Sequence, residues 1–154
     1  MSTSNDTSHI RRAIELARQA RERGNHPFGA LLVADADVVL EAENTVVSEK
    51  DPTRHAEMNL VQAAWRTLPA DVISRSTLYT STEPCPMCTG AIFWSGIRRV
   101  VFSFPALELE AMAGDRFCGP CRPLFDRAEQ KTEVVGPIAA DEGRQAHVGF
   151  WTTA

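Results

Sequence analysis

His55, Glu57, Cys85 and Cys88 are the residues of this sequence whose types and spacing could do chemistry. They stand in two short clusters, His55-Ala56-Glu57 and Pro84-Cys85-Pro86-Met87-Cys88. One imidazole and two thiolates are ligands that zinc selects. A catalytic zinc site has three protein ligands and leaves its fourth tetrahedral position to water, whereas a structural site is closed by a fourth side chain. Zinc lowers the pKa of bound water from about 15.7 to roughly 7, which makes hydroxide available as a nucleophile near neutral pH. Glu57 adds a carboxylate that need not touch the metal and can carry a proton. General acid–base work of that kind contributes roughly 10²–10⁴-fold to a rate.

The spacing suits these roles. Cys85 and Cys88 are three apart, so at a helix start they share one face. Pro84 and Pro86 fit a helix entry, where a missing N–H costs little. Unpaired N–H groups and the positive end of the helix dipole there favour thiolate over thiol. Two thiolates balance the charge of Zn²⁺, so the site is close to neutral and tolerates burial. His55 also opens a helical pattern. Glu57, two residues on, points to a different side, yet in the first turn it can lie beside the open metal position.

The other cysteines offer a rival reading. Cys118-Gly119-Pro120-Cys121 could join Cys85 and Cys88 in a closed four-cysteine zinc site, and the protein would then be a binding module. That arrangement leaves His55 and Glu57 idle, and the gap between the pairs is longer than in compact zinc ribbons. The second pair could also hold another metal, form a redox couple, or sit as ordinary loop residues.

Hydrophobic periodicity supplies the elements that must position the clusters. Residues 1–8 read as a disordered N-terminal tail, and residues 9–154 as a single domain. A helix is expected from an N-cap at Ser8, with Ile10, Ile14, Ala17 and Ala20 on one face, ending at Gly24-Asn25. The apolar run from Phe28 to Ala34 predicts a buried strand. Asp35-Ala36-Asp37 predicts a turn, and Val38 to Glu41 a second strand. Ser48 to Arg54 reads as a loop. A helix runs from His55 to Leu68-Pro69, a strand spans Thr77 to Ser81, and a helix spans Pro86 to Trp94, closed by Gly96. Arg98 to Phe104 reads as a strand, Leu107 to Met112 as a helix, Gly114 to Pro123 as a loop and Thr132 to Val135 as a last strand. A C-terminal helix is expected over Asp141 to Trp151, weakened by Gly143 and Gly149. Strands alternating with helices predict a layered α/β domain with a largely parallel sheet.

Composition bounds the partners. The chain has 154 residues, 44% hydrophobic and 23% charged, with a formal net charge of −4. That balance fits one globular domain acting on a small neutral substrate, and it argues against a dedicated nucleic-acid binder. No apolar run is long enough to span a bilayer. Met1 to Ser8 lacks the apolar core of a secretory signal, so the expected location is cytoplasmic. Two C-x-x-C pairs in that setting read as metal or redox chemistry.

These residues resemble the cytidine deaminase-like superfamily of zinc deaminases, whose signature is H-x-E…P-C-x-x-C. Within it they are most similar to the small bacterial guanine deaminases. The resemblance runs from about Ile10 to Phe104. It is densest in Pro27-Phe28-Gly29-Ala30, in Asp51-Pro52-Thr53 before His55-Ala56-Glu57, and from Leu78 through Glu83-Pro84-Cys85-Pro86-Met87-Cys88 to Trp94. The tRNA adenosine deaminases share a Pro-Thr-x-His-Ala-Glu run.

The resemblance implies a three-layer α/β/α sandwich with a five-stranded mixed β-sheet, and a homodimer with active sites near the interface. It implies that His55, Cys85 and Cys88 bind one catalytic Zn²⁺ and that Glu57 shuttles protons. Asn44 matches an asparagine that bonds the base, Phe28 an aromatic that stacks on it, and Trp94 an aromatic near the pocket. Beyond Phe104 the chain departs from the family pattern. There Asp115 is a candidate to read an amidine-like ring edge, and His147 and Trp151 are candidates to cap the pocket. The implied reaction converts guanine to xanthine and ammonia. The alternatives are cytosine, a guanosine-type nucleoside, a pterin, a triazine or, against the charge balance, tRNA adenosine.

Overall fold

The computed structural model describes residues 3–114 and 117–151. The elements in chain order are α1 (Ser4–Glu22), β1 (Gly29–Ala34), β2 (Asp37–Glu43), α2 (Val46–Glu49), α3 (Ala56–Thr67), α4 (Ala70–Ser74) and β3 (Thr77–Thr82). They continue with α5 (Pro86–Ser95), β4 (Arg99–Phe104), α6 (Ala106–Ala113), α7 (Arg122–Phe125), β5 (Glu133–Val135) and α8 (Ala140–Gln145). The strands form one five-stranded sheet in the order β2-β1-β3-β4-β5. β3, β4 and β5 run parallel. β1 is antiparallel to both of its neighbours, so the sheet is mixed and not largely parallel. The reason is the tight Asp35-Ala36 turn, both residues at positive φ, which folds β2 straight back along β1 as a hairpin. A parallel neighbour would have needed a long crossover.

β1 is buried along its whole length, and alternate residues enter two cores. Leu31 and Val33 pack with Ile10, Ile14 and Ala17 of α1 and with Ala146 after α8. Ala30 and Leu32 pack with Ala56, Leu60 and Ala64 of α3, Ile92 of α5 and Phe125 of α7. Helices thus cover both faces, giving the three-layer α/β/α sandwich. Among the described residues no helix is long and apolar enough to cross a membrane.

The N-terminus departs from the expected tail. α1 begins at Ser4, not after Ser8, with Thr3 as its N-cap. The Thr3 hydroxyl accepts the Asp6 N–H at 3.1 Å, and the Asp6 carboxylate accepts the Thr3 N–H at 2.9 Å. This reciprocal capping box satisfies two N–H groups that would otherwise lack partners. Asp6 is also buried against the sheet, which anchors the extra turn. At the other end, α8 stops at Gln145, short of the expected Trp151. Turns follow over residues 146–150, with Gly149 at φ +75°, and Trp151 packs against the cluster of Phe104 and Leu109.

β2 and β3 are each antiparallel to β1 and therefore end at the same edge of the sheet. α3 and α5 both start beyond that edge. This relationship brings the two sequence clusters together.

Candidate metal centre and active site

His55 is the N-cap of α3 and Cys85 the N-cap of α5, each with an extended backbone. Pro86 occupies the first helical turn of α5, as its fixed φ and missing N–H allow. Cys88 lies one turn on and is buried. His55 Nδ1 lies 3.6 Å from Cys85 Sγ and 3.5 Å from Cys88 Sγ. The ligand atoms of all three lie within 4.8 Å of one another. A tetrahedral zinc with Zn–S of about 2.3 Å and Zn–N of about 2.05 Å sets a sulfur–nitrogen separation of about 3.6 Å. The donor set and its spacing therefore fit zinc, with Nδ1 as the imidazole donor.

The thiols are already polarised. Cys85 is pushed down to about 4, chiefly by its hydrogen bond with Cys88, with His55 adding to the effect against the cost of burial. Cys88 is raised by the same pairing and by burial. The His55 imidazole is raised by its contact with Cys85. Glu57, in the first turn of α3, is 5% exposed. Burial pushes its carboxyl up to about 7, and the Cys85 charge adds to this. A carboxyl in that range gives and takes a proton with little cost near neutral pH.

His55, Glu57 and Cys85 open into a 350 Å³ cavity. Phe28 and Trp151 line it, as the sequence suggested. So do His26, Glu83, Leu109, Phe117 and Cys118, which sequence reasoning had given no place in the pocket. His26 sits two residues before Phe28, and Glu83 two before Cys85, so adjacency to the motifs was the available signal. Glu83 bonds through both carboxylate oxygens, accepting the Ala106 N–H at 2.9 Å and the Cys121 N–H at 2.8 Å.

Asn44 is fully buried beside β2. Its Oδ1 accepts the Val46 N–H at 3.0 Å, while its Nδ2 has no hydrogen-bond partner among the described residues. A buried amide N–H₂ without an acceptor costs free energy unless a ligand supplies one. Asn44 is not among the residues that line the cavity.

Two expected site residues stand elsewhere. Trp94 is 79% exposed and lines a surface groove with Trp65, Val61 and Ala91, outside the cavity. Its position in α5 explains this, since six residues beyond Cys88 is a rotation of about 240° around the helix. His147 is 1% exposed and lies behind the cavity wall. Both its ring nitrogens are engaged, with Thr82 and Trp151. Asp115 lies outside the described residues.

The four-cysteine alternative does not form. Among the described residues, Cys118 and Cys121 join no cluster with metal-ligand spacing. Cys121 is buried in the core beside Phe125, and burial together with the Glu83 charge raises its thiol.

Residues 3–104 match the cytidine and deoxycytidylate deaminase zinc-binding region. The chain is 40% identical over 153 residues to a probable cytosine deaminase of Schizosaccharomyces pombe, covering 95% of this chain and 92% of that one. It is 36% identical over 143 residues to a tRNA-specific adenosine deaminase of Haemophilus influenzae, covering 91% and 79%. The crystal structure of a Bacillus subtilis guanine deaminase superposes with a TM-score of 0.64 at 30% identity, covering 96% of both chains.

Proposed function

Because the chain belongs to the cytidine and deoxycytidylate deaminase zinc-binding family and is thus a zinc-dependent hydrolytic deaminase, we propose that its substrate is a free aminated nucleobase, with guanine as the first candidate. The observation that carries the reading is one 350 Å³ cavity in which His55, Cys85 and Glu57 meet the aromatic walls of Phe28 and Trp151. Its size and flat apolar walls suit a single planar ring system.

In this reading His55 Nδ1, Cys85 and Cys88 hold zinc. Zinc bound there supplies a Lewis acid that lowers the pKa of water to about 7. Glu57 takes the proton released by the attacking water and passes it first to the ring nitrogen next to the carbon under attack. It then takes the remaining proton of the hydroxyl added to the carbon and passes it to the exocyclic amine, so that the carbon–nitrogen bond breaks with ammonia as the leaving group. The carbon gains the oxygen of water, and guanine becomes xanthine. Asn44 Nδ2 donates to a ring acceptor, Phe28 packs on the ring, and Trp151 closes the pocket from the C-terminal side.

A second reading, cytosine, draws on the 40% identity to a probable cytosine deaminase over nearly the whole chain. A polynucleotide substrate is disfavoured by the net charge of −4, because phosphate recognition needs a basic surface. The test is an ammonia-release screen of the zinc-loaded protein with guanine, cytosine, guanosine and an adenosine-containing anticodon stem-loop. Turnover of guanine supports the first reading and turnover of cytosine the second. Exclusive turnover of the stem-loop overturns the proposal of a free base.

We also propose that the protein is a homodimer joined through the outer face of α3 and α5. Trp65 and Trp94, 63% and 79% exposed, flank a 440 Å³ apolar groove there, and exposed aromatic patches of that kind mark contact surfaces. Light scattering after gel filtration should give twice the chain mass, falling to one chain mass in Trp94→Asp. A monomeric wild-type protein ends this proposal.

A further inference from the structure

His147 holds a position that the deaminase reaction by itself does not explain. It is an almost fully buried imidazole, 1% exposed, directly behind two residues that line the substrate cavity. Phe28 meets its ring edge-on with centroids 5.2 Å apart. Trp151 lies nearly parallel to it, with an interplanar angle of 18°. Phe104 packs against it at 5.2 Å.

The hydrogen bonds fix its chemistry. Trp151 Nε1–H lies 3.0 Å from His147 Nδ1. An indole N–H can only donate, so Nδ1 must be the accepting, unprotonated nitrogen. A neutral ring then carries its proton on Nε2, and Nε2–H donates to Thr82 Oγ1 at 2.9 Å. Burial, with the charge of Arg21 adding to it, pushes the imidazole down to about 4, which keeps Nδ1 free at neutral pH. Thr82 is the last residue of β3, three residues before the zinc ligand Cys85. The chain thus reads strand end, hydroxyl, imidazole, indole, cavity.

We propose that His147 is a positioning residue. Held by Thr82 as the Nε2–H tautomer, it accepts the Trp151 indole N–H and so fixes Trp151 as a wall of the nucleobase pocket. The proposal rests on the free-base reading of the cavity. It assigns His147 no contact with substrate and no part in proton transfer. A well-placed wall helps bind the ring but does not act at the reacting carbon, so its loss should appear in KM far more than in kcat.

Two substitutions separate the nitrogens. His147→Asn keeps a side-chain acceptor near the Nδ1 position, whereas His147→Gln keeps a polar atom near Nε2 and removes that acceptor. With guanine as the probe, or cytosine where guanine is not turned over, H147Q should raise KM about tenfold and change kcat by less than about threefold. H147N should recover most of the KM loss. Trp151→Phe keeps the ring without the donor and should raise KM to a similar degree. The double variant H147Q/W151F should then be no worse than either single one, because one interaction cannot be lost twice.

A readout without substrate keeps the test independent of the functional reading. The Trp151 indole ¹H–¹⁵N resonance, assigned by its absence in W151F, should be protected from exchange in the wild type. It should move upfield and lose protection in H147Q. Loss of the indole signature in H147Q supports the pin even if no free base is turned over, in which case only the substrate reading fails. An unmoved indole resonance, an equal fall in H147N and H147Q, or additive effects in the double variant overturns the role of His147.

Discussion

The Glu83 carboxylate accepts the backbone N–H of Cys121 at 2.8 Å while its other oxygen accepts that of Ala106 at 2.9 Å. One buried carboxylate, two residues before Cys85, therefore ties the start of α6 and the start of α7 to the end of β3. Leu109 of α6, and Phe117 and Cys118 in the segment leading to α7, form one side of the cavity, so Glu83 holds that side in place. Glu83→Gln leaves one acceptor oxygen and presents an N–H₂ to one of the two N–H groups. Burying such an unsatisfied donor costs about 1–3 kcal/mol. Urea unfolding should show a loss of that size, with zinc content unchanged and KM raised. A stability within about 0.5 kcal/mol of wild type would show that the carboxylate holds nothing.

Metal content tests the donor set directly. The wild-type chain should bind one zinc, measured by elemental analysis after dialysis. Cys85→Ala and His55→Ala should each lose it, since two remaining ligands hold zinc poorly, and Cys118→Ala should retain it. Glu57→Gln should keep the metal while losing activity by roughly 10²–10⁴-fold, as expected for removing a general acid–base group. Zinc lost on Cys118→Ala, or activity surviving Glu57→Gln, contradicts the arrangement. Chelation of the metal should abolish turnover, and added zinc should restore it.

Much of this site was legible because chemistry restricts residue type. Few side chains bind zinc, and the His55 and Cys85 clusters sit at helix starts that Pro86 and the preceding strand advertise. What was not legible depended on contacts between distant segments. The first turn of α1 exists because Asp6 is buried against Arg99 and Tyr79, more than seventy residues away. An isolated polar octapeptide carries no sign of that. His147 looked like a pocket residue because its type suits one, but Thr82 and Trp151 occupy both nitrogens. Trp94 is different. Helix geometry alone places Ile92, four residues after Cys88, on the buried face and turns Trp94 outward, so the periodicity contained the correction.

Gly29 shows how closely the layers approach. A Cβ built there would lie 2.5 Å from Ala13 O and from Ala17 N, so the backbone of α1 rests directly on the first residue of β1. Those neighbours are main-chain atoms and cannot swing aside. Gly29→Ala should force α1 off the sheet and lower stability by about 3 kcal/mol, the upper end of the overpacking range. At about 2–4 °C per kcal/mol for a domain of this size, the Tm should fall by roughly 6–12 °C. Because Gly29 N also donates to Ser81 Oγ at 3.1 Å, zinc affinity is expected to weaken along with stability. An unchanged Tm would mean that α1 has room to move.

Asp6 ties the same helix to the sheet electrostatically, and its effect should depend on pH. Burial acts to raise its carboxyl, but Arg99, Tyr79 and the Thr3 N–H outweigh it and hold it at about 2. Arg99 approaches Oδ2 at 2.9 Å and Tyr79 donates to Oδ1 at 2.6 Å. The unfolded chain has an ordinary aspartate pKa of about 3.9. A carboxyl depressed on folding contributes stability that is fully present above the unfolded value and is lost as pH falls toward the folded one. Asp6→Asn removes that contribution and leaves the Arg99 guanidinium facing a neutral amide. The stability gap between wild type and Asp6→Asn should be about 2 kcal/mol near pH 7, and it should narrow as pH falls from about 4 toward 3. Comparing the two proteins at each pH cancels the loss of zinc ligation that acid causes in both. A gap that stays constant from pH 7 to pH 3 would mean that the Asp6 carboxylate titrates alike in the folded and unfolded chains, and that α1 is held by its apolar face alone.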